Sequence, residues 1–345
     1  MFDDSLLVRA YRGEKTERAP IWLMRQAGRY LPEYREIRAK NSMLDVIRTP
    51  ELALRVTLQP IERFRFDAAI IFADILTPLI GMGIELDFVQ GEGPCIGNPV
   101  RTLADIEKLA VPPPEENVGY TLRAIALASQ ALAVTSTPLI GFSGAPFTLT
   151  CYLCDQGDLE LGVTREVMLK EPRAWSLLQE KLVRLVAEYL VAQVDAGAAA
   201  VQIFDSWAGV LSPEEFEKYS LPYLQSIVRQ VRARTKVPIV YFATNSKALL
   251  PALKGLPVDA FGVDWRVRLI EANEILGQQF ALQGNLSPKL FCEAWEPIAD
   301  EARLILEEGR RLRGFVFNLG HGILPATPLE NVEKLVQLVK GIGHA

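Results

Sequence analysis

Histidine is nearly absent from this chain. Its 345 residues include two, His321 and His344. A protein zinc site needs convergent His, Cys or carboxylate ligands. His321 has no H-x-C or H-x-x-H neighbour, so the sequence offers no metal set. Cysteine is also sparse, at Cys95, Cys151, Cys154 and Cys292. Cys151 and Cys154 form one C-x-x-C with no second to complete a cluster. They read as structural thiols of a reducing compartment, and a disulfide framework is excluded. No apolar run approaches the length of a membrane span. The opening MFDDSLLVRAYRG is acidic first and lacks the apolar core of a secretory signal, so a cytoplasmic location is expected.

Nucleotide and nucleophile signatures are missing too. No G-x-G-x-x-G follows the first strand-like run, and no P-loop occurs. GFSGAP at 141–146 approaches a nucleophile elbow, but its second glycine falls one place early. There is no internal repeat, no low-complexity segment and no Lys/Arg-rich block. The chain carries a net charge of −5, unevenly spread. Residues 1–65 hold 13 basic and 9 acidic residues, a balance of +4, and the remainder stands at −9. Interspersed basic residues on an acidic protein fit a local anion site better than a nucleic-acid surface.

What the chain does have is hydrophobic residues, 49% of the total, in short runs that each end at polar or glycine-rich residues. PIWLM (20–24) ends at Arg25 and AAIIFA (68–73) at Asp74. TPLIGF (137–142) ends at SGAP, and AAVQIF (199–204) at Asp205-Ser206. VPIVYFA (237–243), DAFGVD (259–264), FALQG (280–284) and GFVFN (314–318) complete eight expected strands. Most are continuously apolar, as buried parallel strands are. Helical patterns lie between them at 49–64, 172–197, 212–235 and 327–343, with a shorter one at 287–291. Those at 49, 212, 287 and 327 begin with a Ser or Thr followed by a proline, and the 172–197 pattern begins at a proline. Eight strands alternating with helices predict an α/β fold, a single (β/α)8 barrel domain over residues 1–345. An open doubly wound sheet is the alternative. Residues 75–136 read as an insertion after strand two. It contains a hairpin in 84–102 turned by GEGP, a rigid loop VPPPEEN (111–117), and a helix at about 118–133.

In a barrel the C-terminal strand ends share one face, and active sites sit there. That rule nominates Arg25 and Arg29, Asp74, the Ser143–Pro146 turn, Tyr152, Asp205, Ser206 and His321. Asp264 and Arg266 stand behind them, because they could simply pair with one another. Arg25 and Arg29 lie in MRQAGRY (24–30). Arginines four apart suit a solvated helix face, or a loop that grips an anion, with Gly28 letting the backbone approach it. Asp74 could equally cap a following turn, and Tyr152 and Ser206 could be packing and turn residues.

PIWLMRQAGRYLPEYRE, IIFADILTP, GFSGAPFTLTCY, IFDSWAG, GVDWR, GNLSP and FNLGHGILPATP together resemble the uroporphyrinogen decarboxylase family, in family order over residues 20–328. The resemblance implies a distorted (β/α)8 homodimer needing no cofactor. It implies removal of four acetate carboxyl groups from uroporphyrinogen III, giving coproporphyrinogen III for haem synthesis. It also implies that Arg25, Gln26, Ala27, Gly28 and Arg29 bind substrate, with the RQAGR backbone lining the cleft. Asp74 matches a central aspartate that hydrogen-bonds pyrrole N–H groups, and Tyr152, Ser206 and His321 match further substrate contacts. Asp74, Arg25, Tyr152 and His321 are the expected catalytic set. The ring proton would come from an arginine–carboxylate arrangement or a bound water. Two departures stand out: Ser287 replaces the aspartate of GNLDP, and YFATNSKALL replaces a glycine-rich segment after strand five. The alternatives are a zinc- and corrinoid-dependent methyltransferase on a related barrel, or a non-catalytic tetrapyrrole-binding paralogue.

Overall fold

The computed structural model describes residues 2–89, 93–158 and 160–343. The strands in chain order are β1 (Ala69–Ile70), β2 (Leu86–Val89), β3 (Gly93–Ile96), β4 (Leu139–Gly144), β5 (Ala200–Asp205), β6 (Ile239–Ala243), β7 (Ala260–Gly262), β8 (Ala281–Leu286) and β9 (Phe315–Leu319). Seven of them form one parallel sheet in the order β1-β4-β5-β6-β7-β8-β9. Crossover helices cover its outer face, and its strands are buried on both sides, as their unbroken apolar runs require.

The eighth expected strand is a correction. Residues 20–24 occupy the closing position but make only one parallel bridge, Ile21 to Phe317 of β9. The reason lies in where the backbone N–H groups go. Pro20 has none. Ile21 donates to the Asp67 carboxylate at 2.9 Å, Leu23 to the Gln26 side chain at 3.1 Å, and Met24 to the Asn318 side chain at 2.9 Å. Only Trp22 reaches a strand carbonyl, that of Phe317 at 3.4 Å. Three side chains therefore take the place of a ladder. On the other flank the Asp67 N–H donates to the Ile21 carbonyl at 2.9 Å. β1 is shorter than expected for a similar reason. The Phe72 N–H turns away to the Thr57 hydroxyl at 3.0 Å.

Several helix starts differ from expectation. Ser212 caps as expected, through a reciprocal pair with Glu215. Thr49 and Thr327 make no side-chain cap, and the last helix begins at Leu329 behind Pro328. The 212–235 pattern is two helices, Pro213–Tyr219 and Leu221–Arg234, broken at Ser220 just before Pro222. The 287–291 segment gives only a 3₁₀ turn at Leu290–Cys292. Ser287 still accepts the Leu290 N–H there, at 3.4 Å.

The insertion carries the expected hairpin, with β2 and β3 antiparallel. Its turn residues 90–92 lie outside the described residues, as does His344. The 111–117 loop is shorter than expected, because helix Pro114–Ala133 starts inside it and bends at Val118. Helices beyond those expected include Leu6–Tyr11, Pro32–Arg38, Trp295–Gly309 and the short Met43–Arg48 and Leu103–Lys108. The last two carry a capping box, Ser42 with Asp45 and Thr102 with Asp105. No helix of the structure is long and apolar enough to cross a membrane.

Candidate active site

Arg25 sits at the first bend after the closing segment, in the left-handed region at φ 61°. That conformation costs a non-glycine residue roughly 1–2 kcal/mol, so the surroundings must hold it. Gln26 does much of this. Its buried side chain accepts the Leu23 N–H and donates to the Ala68 carbonyl at 3.0 Å. Its own carbonyl accepts the Tyr30 hydroxyl at 2.7 Å. Gln26 thus faces the barrel wall and contributes to the loop, not to the opening. Gly28 is required by close approach: a Cβ there would lie 2.9 Å from the Arg25 carbonyl oxygen.

The loop is not a solvated helix face, since no helix spans it. The Arg25 and Arg29 side chains are exposed, and neither forms an ion pair among the described residues. The N–H groups of Ala27, Gly28 and Arg29 likewise find no acceptor there. Two cations and a run of free donors are groups that can hold an anion.

Asp74 follows β1. One carboxylate oxygen accepts the Leu76 N–H at 2.8 Å, and its carbonyl accepts the Thr77 hydroxyl at 2.9 Å. It therefore does cap the following turn. Its second carboxylate oxygen has no hydrogen-bond donor among the described residues. Loss of hydration pushes this carboxyl above its ordinary value, against the Leu76 N–H and the Arg25 charge, which both pull it down. The residue is half-buried, so it is close-packed yet still reachable from the opening.

His321 follows β9 and packs edge-on against Phe242 and Trp265, with ring centres 6.3 and 6.2 Å away. Burial, then Arg25, then Arg266, hold its pKa down at about 4, against a smaller opposing pull from Asp264. The imidazole is neutral at physiological pH. Arg25 acts on both His321 and Asp74 through its charge.

Tyr152 stands on helix Pro146–Asp155, its ring edge-on to Trp207 at 6.1 Å. Its hydroxyl and that of Ser206 have no protein partner among the described residues. Ser206 is held by its carbonyl, which accepts the Thr244 hydroxyl at 2.5 Å. Ser143 is different: it lies inside β4 and is buried, so the strand runs two residues further than expected. Asp205 is also turned inward. It accepts the Thr148 hydroxyl at 2.6 Å and the Tyr241 hydroxyl at 2.9 Å. Burial raises its pKa to about 6.

The buried Cys151 and Cys154 thiols are pushed up, Cys154 to about 12, so neither is a ready thiolate. A concavity of about 440 Å³ bounded by Ser5, Phe66, Asp67, Thr137 and Lys340 lies at the opposite, N-terminal end of the barrel. It belongs to none of this chemistry.

The arrangement of a free carboxylate oxygen beside unpaired arginines can be set against known proteins. The family model described as uroporphyrinogen decarboxylase (URO-D) matches residues 3–342. This chain belongs to the uroporphyrinogen decarboxylase family. It is 50% identical over 337 residues to the uroporphyrinogen decarboxylase of Chloroflexus aggregans, covering 96% of this chain and 94% of that protein. Against the enzyme of the same name from Trichlorobacter lovleyi it is 46% identical over 333 residues, covering 96% and 97%. A solved methyltransferase from Methanosarcina mazei shares the fold, with a TM-score of 0.81 at 22% identity over 97% of each chain. The expected decarboxylase family and α/β barrel class both stand.

Proposed function

We propose that this chain removes the carboxyl groups of the four acetate arms of uroporphyrinogen III, giving coproporphyrinogen III and CO2. The observation that carries the reading is Asp74, with one carboxylate oxygen tied to Leu76 and the other free beside the unpaired Arg25.

Each step adds a proton to a pyrrole carbon, which makes the ring a cation and an electron sink. The bond to the carboxylate then breaks, its electron pair moves into the ring, and CO2 leaves. A proton taken up at the exocyclic carbon and one lost from the ring leave a methyl group. One proton thereby replaces one carboxylate. A fixed anion in a poorly hydrated cleft stabilises the cationic ring. Asp74 supplies that charge and accepts the pyrrole N–H groups. Arg25, Arg29 and the free N–H groups of Ala27, Gly28 and Arg29 hold substrate carboxylates. Tyr152, Ser206 and the neutral His321 offer hydrogen bonds to the macrocycle and its arms.

The solved methyltransferase, at 22% identity, speaks for the fold alone. Among the described residues no three His, Cys, Asp or Glu groups gather as a zinc-activated thiol chemistry would need. The contiguous core supports reading residues 1–345 as one barrel domain. A homodimer in the cytoplasm completes the reading.

The test is anaerobic incubation of the protein with uroporphyrinogen III, followed by counting carboxyl groups on the oxidised products. Stepwise loss from eight to four is expected. A folded protein that binds the substrate and releases no CO2 would make it a carrier.

A further inference from the structure

Arg266 is a cation near this site that the reading above leaves unused. It follows β7 and is anchored on three sides. Its backbone N–H donates to one oxygen of Asp264 at 2.8 Å, and its guanidinium donates to the other, also at 2.8 Å. The guanidinium carbon lies 3.9 Å from the centre of the Trp265 ring. Asp264 is itself fully buried and fixed by the Asn245 N–H. Yet the Arg266 side chain remains 46% exposed. Its remaining N–H groups have no partner among the described residues.

The direction it faces follows from its neighbours. Trp265, on which it lies, packs against His321. Arg25 and then Arg266 both hold the His321 proton affinity down, so both cations lie within charge range of the same imidazole. A guanidinium already immobilised on an aromatic face loses little freedom when it binds.

We infer that Arg266 is a third carboxylate-binding residue, taking a propionate of the tetrapyrrole beside His321 and Trp265. This rests on the function proposed above. The choice of propionate follows from the chemistry. Acetates disappear one by one, whereas propionates persist through every step. A cation that gripped the reacting acetate would also stabilise its ground state and slow the release of CO2. A grip on persistent groups contributes equally to ground and transition states, so it governs KM and not kcat.

The experiment compares Arg266→Gln and Arg266→Lys with the unaltered protein. It measures stepwise decarboxylation, and separately the binding of coproporphyrin, which carries only propionates. Loss of one charge-assisted bond predicts a KM and a coproporphyrin Kd about tenfold higher for Arg266→Gln, with kcat within about twofold. Arg266→Lys keeps a cation beside buried Asp264 but loses the planar fork, so it should fall between. Unchanged KM and coproporphyrin affinity in both variants, with only a lower melting temperature, would make Arg266 a structural partner of Asp264 and overturn the inference. So would a defect confined to acetate-bearing substrates. Failure of the unaltered protein to release CO2 would instead strike the proposed activity, since coproporphyrin binding reads Arg266 without turnover.

Discussion

The Arg25 side chain lies directly over Gly322: a Cβ on that glycine would come within 2.4 Å of Arg25 Cδ and 2.9 Å of its Cγ. The loop after β9 therefore sets the position of a cation carried at the other end of the chain. Gly322→Ala should displace the arginine, because a side chain yields before a backbone does. The expected result is a KM raised severalfold, with the melting temperature little changed. Steady-state kinetics and a thermal melt check it, and a normal KM would show that Arg25 needs no fixed place.

Asp74→Asn keeps the shape of the turn and can still accept the Leu76 N–H, but it removes the fixed charge. Turnover should fall about 100-fold or more, the scale of losing one preorganised electrostatic contact. Circular dichroism should be unchanged. Near-normal release of CO2 would remove Asp74 from charge stabilisation.

Arg29→Ala should act on binding. Loss of one charge-assisted hydrogen bond, about 1.5–3 kcal/mol, raises KM roughly ten- to a hundredfold and leaves kcat nearly intact. Titration with coproporphyrin gives the same number without turnover. An unaltered affinity would place Arg29 outside the site.

Asp205 and His321 pull the pH dependence of stability in opposite directions. Folding lowers His321 from its ordinary 6.5 to about 4, so between these values the unfolded chain binds the extra proton. Stability then rises with pH through that window. Folding raises Asp205 from 3.8 to about 6, so the folded chain binds the extra proton, and stability falls as pH rises from 3.8 to 6. The two trends offset each other in the unaltered protein. Relative to it, Asp205→Asn should gain stability as pH rises from 4 to 6, and His321→Gln should lose it. Denaturant titrations at pH 4.5 and 6.5 read both. Parallel curves for the variants and the unaltered protein would show that neither group titrates abnormally.

Thr148 has a double duty that makes it a sharper probe of the β5 turn. Its hydroxyl donates to Asp205 and accepts the Trp207 N–H at 3.1 Å, next to Ser206. Thr148→Val preserves shape and removes both bonds, so stability should fall by about 2 kcal/mol or more. Loss of turn geometry should also raise KM, through Ser206 and through Tyr152, which packs on Trp207. A stability within error of the unaltered protein would mean that the turn holds itself.

The barrel was legible because its strands announce themselves locally, as apolar runs that stop at polar residues. The site followed from one topological rule, which placed Arg25, Asp74, Ser206 and His321 together although they lie up to 296 positions apart in the sequence. What was not legible depends on long-range partners. Nothing in PIWLM says that Asp67, Gln26 and Asn318 will take its N–H groups, so a strand was expected where one bridge forms. Gln26 reads as part of an anion loop until Ala68 is seen to accept its side chain. Asp205 and Ser206 are adjacent and equally polar, and only the positions of Thr148 and Tyr241 turn the first inward. Arg266 was visible only as a partner of Asp264, because its stacking on Trp265 and its nearness to His321 are tertiary facts. The capping boxes of Ser42 with Asp45 and Thr102 with Asp105, by contrast, are local signals.

The N–H of Met24, one residue before the anion loop, is held by the side chain of Asn318, 294 positions away. A chain emerging from the ribosome makes Arg25 long before Asn318. Until β9 docks, the first-made part of the catalytic centre has no wall to rest on. Activity should therefore appear in a single late event during synthesis, and chains arrested before residue 318 should hold a nearly complete sheet with no working site.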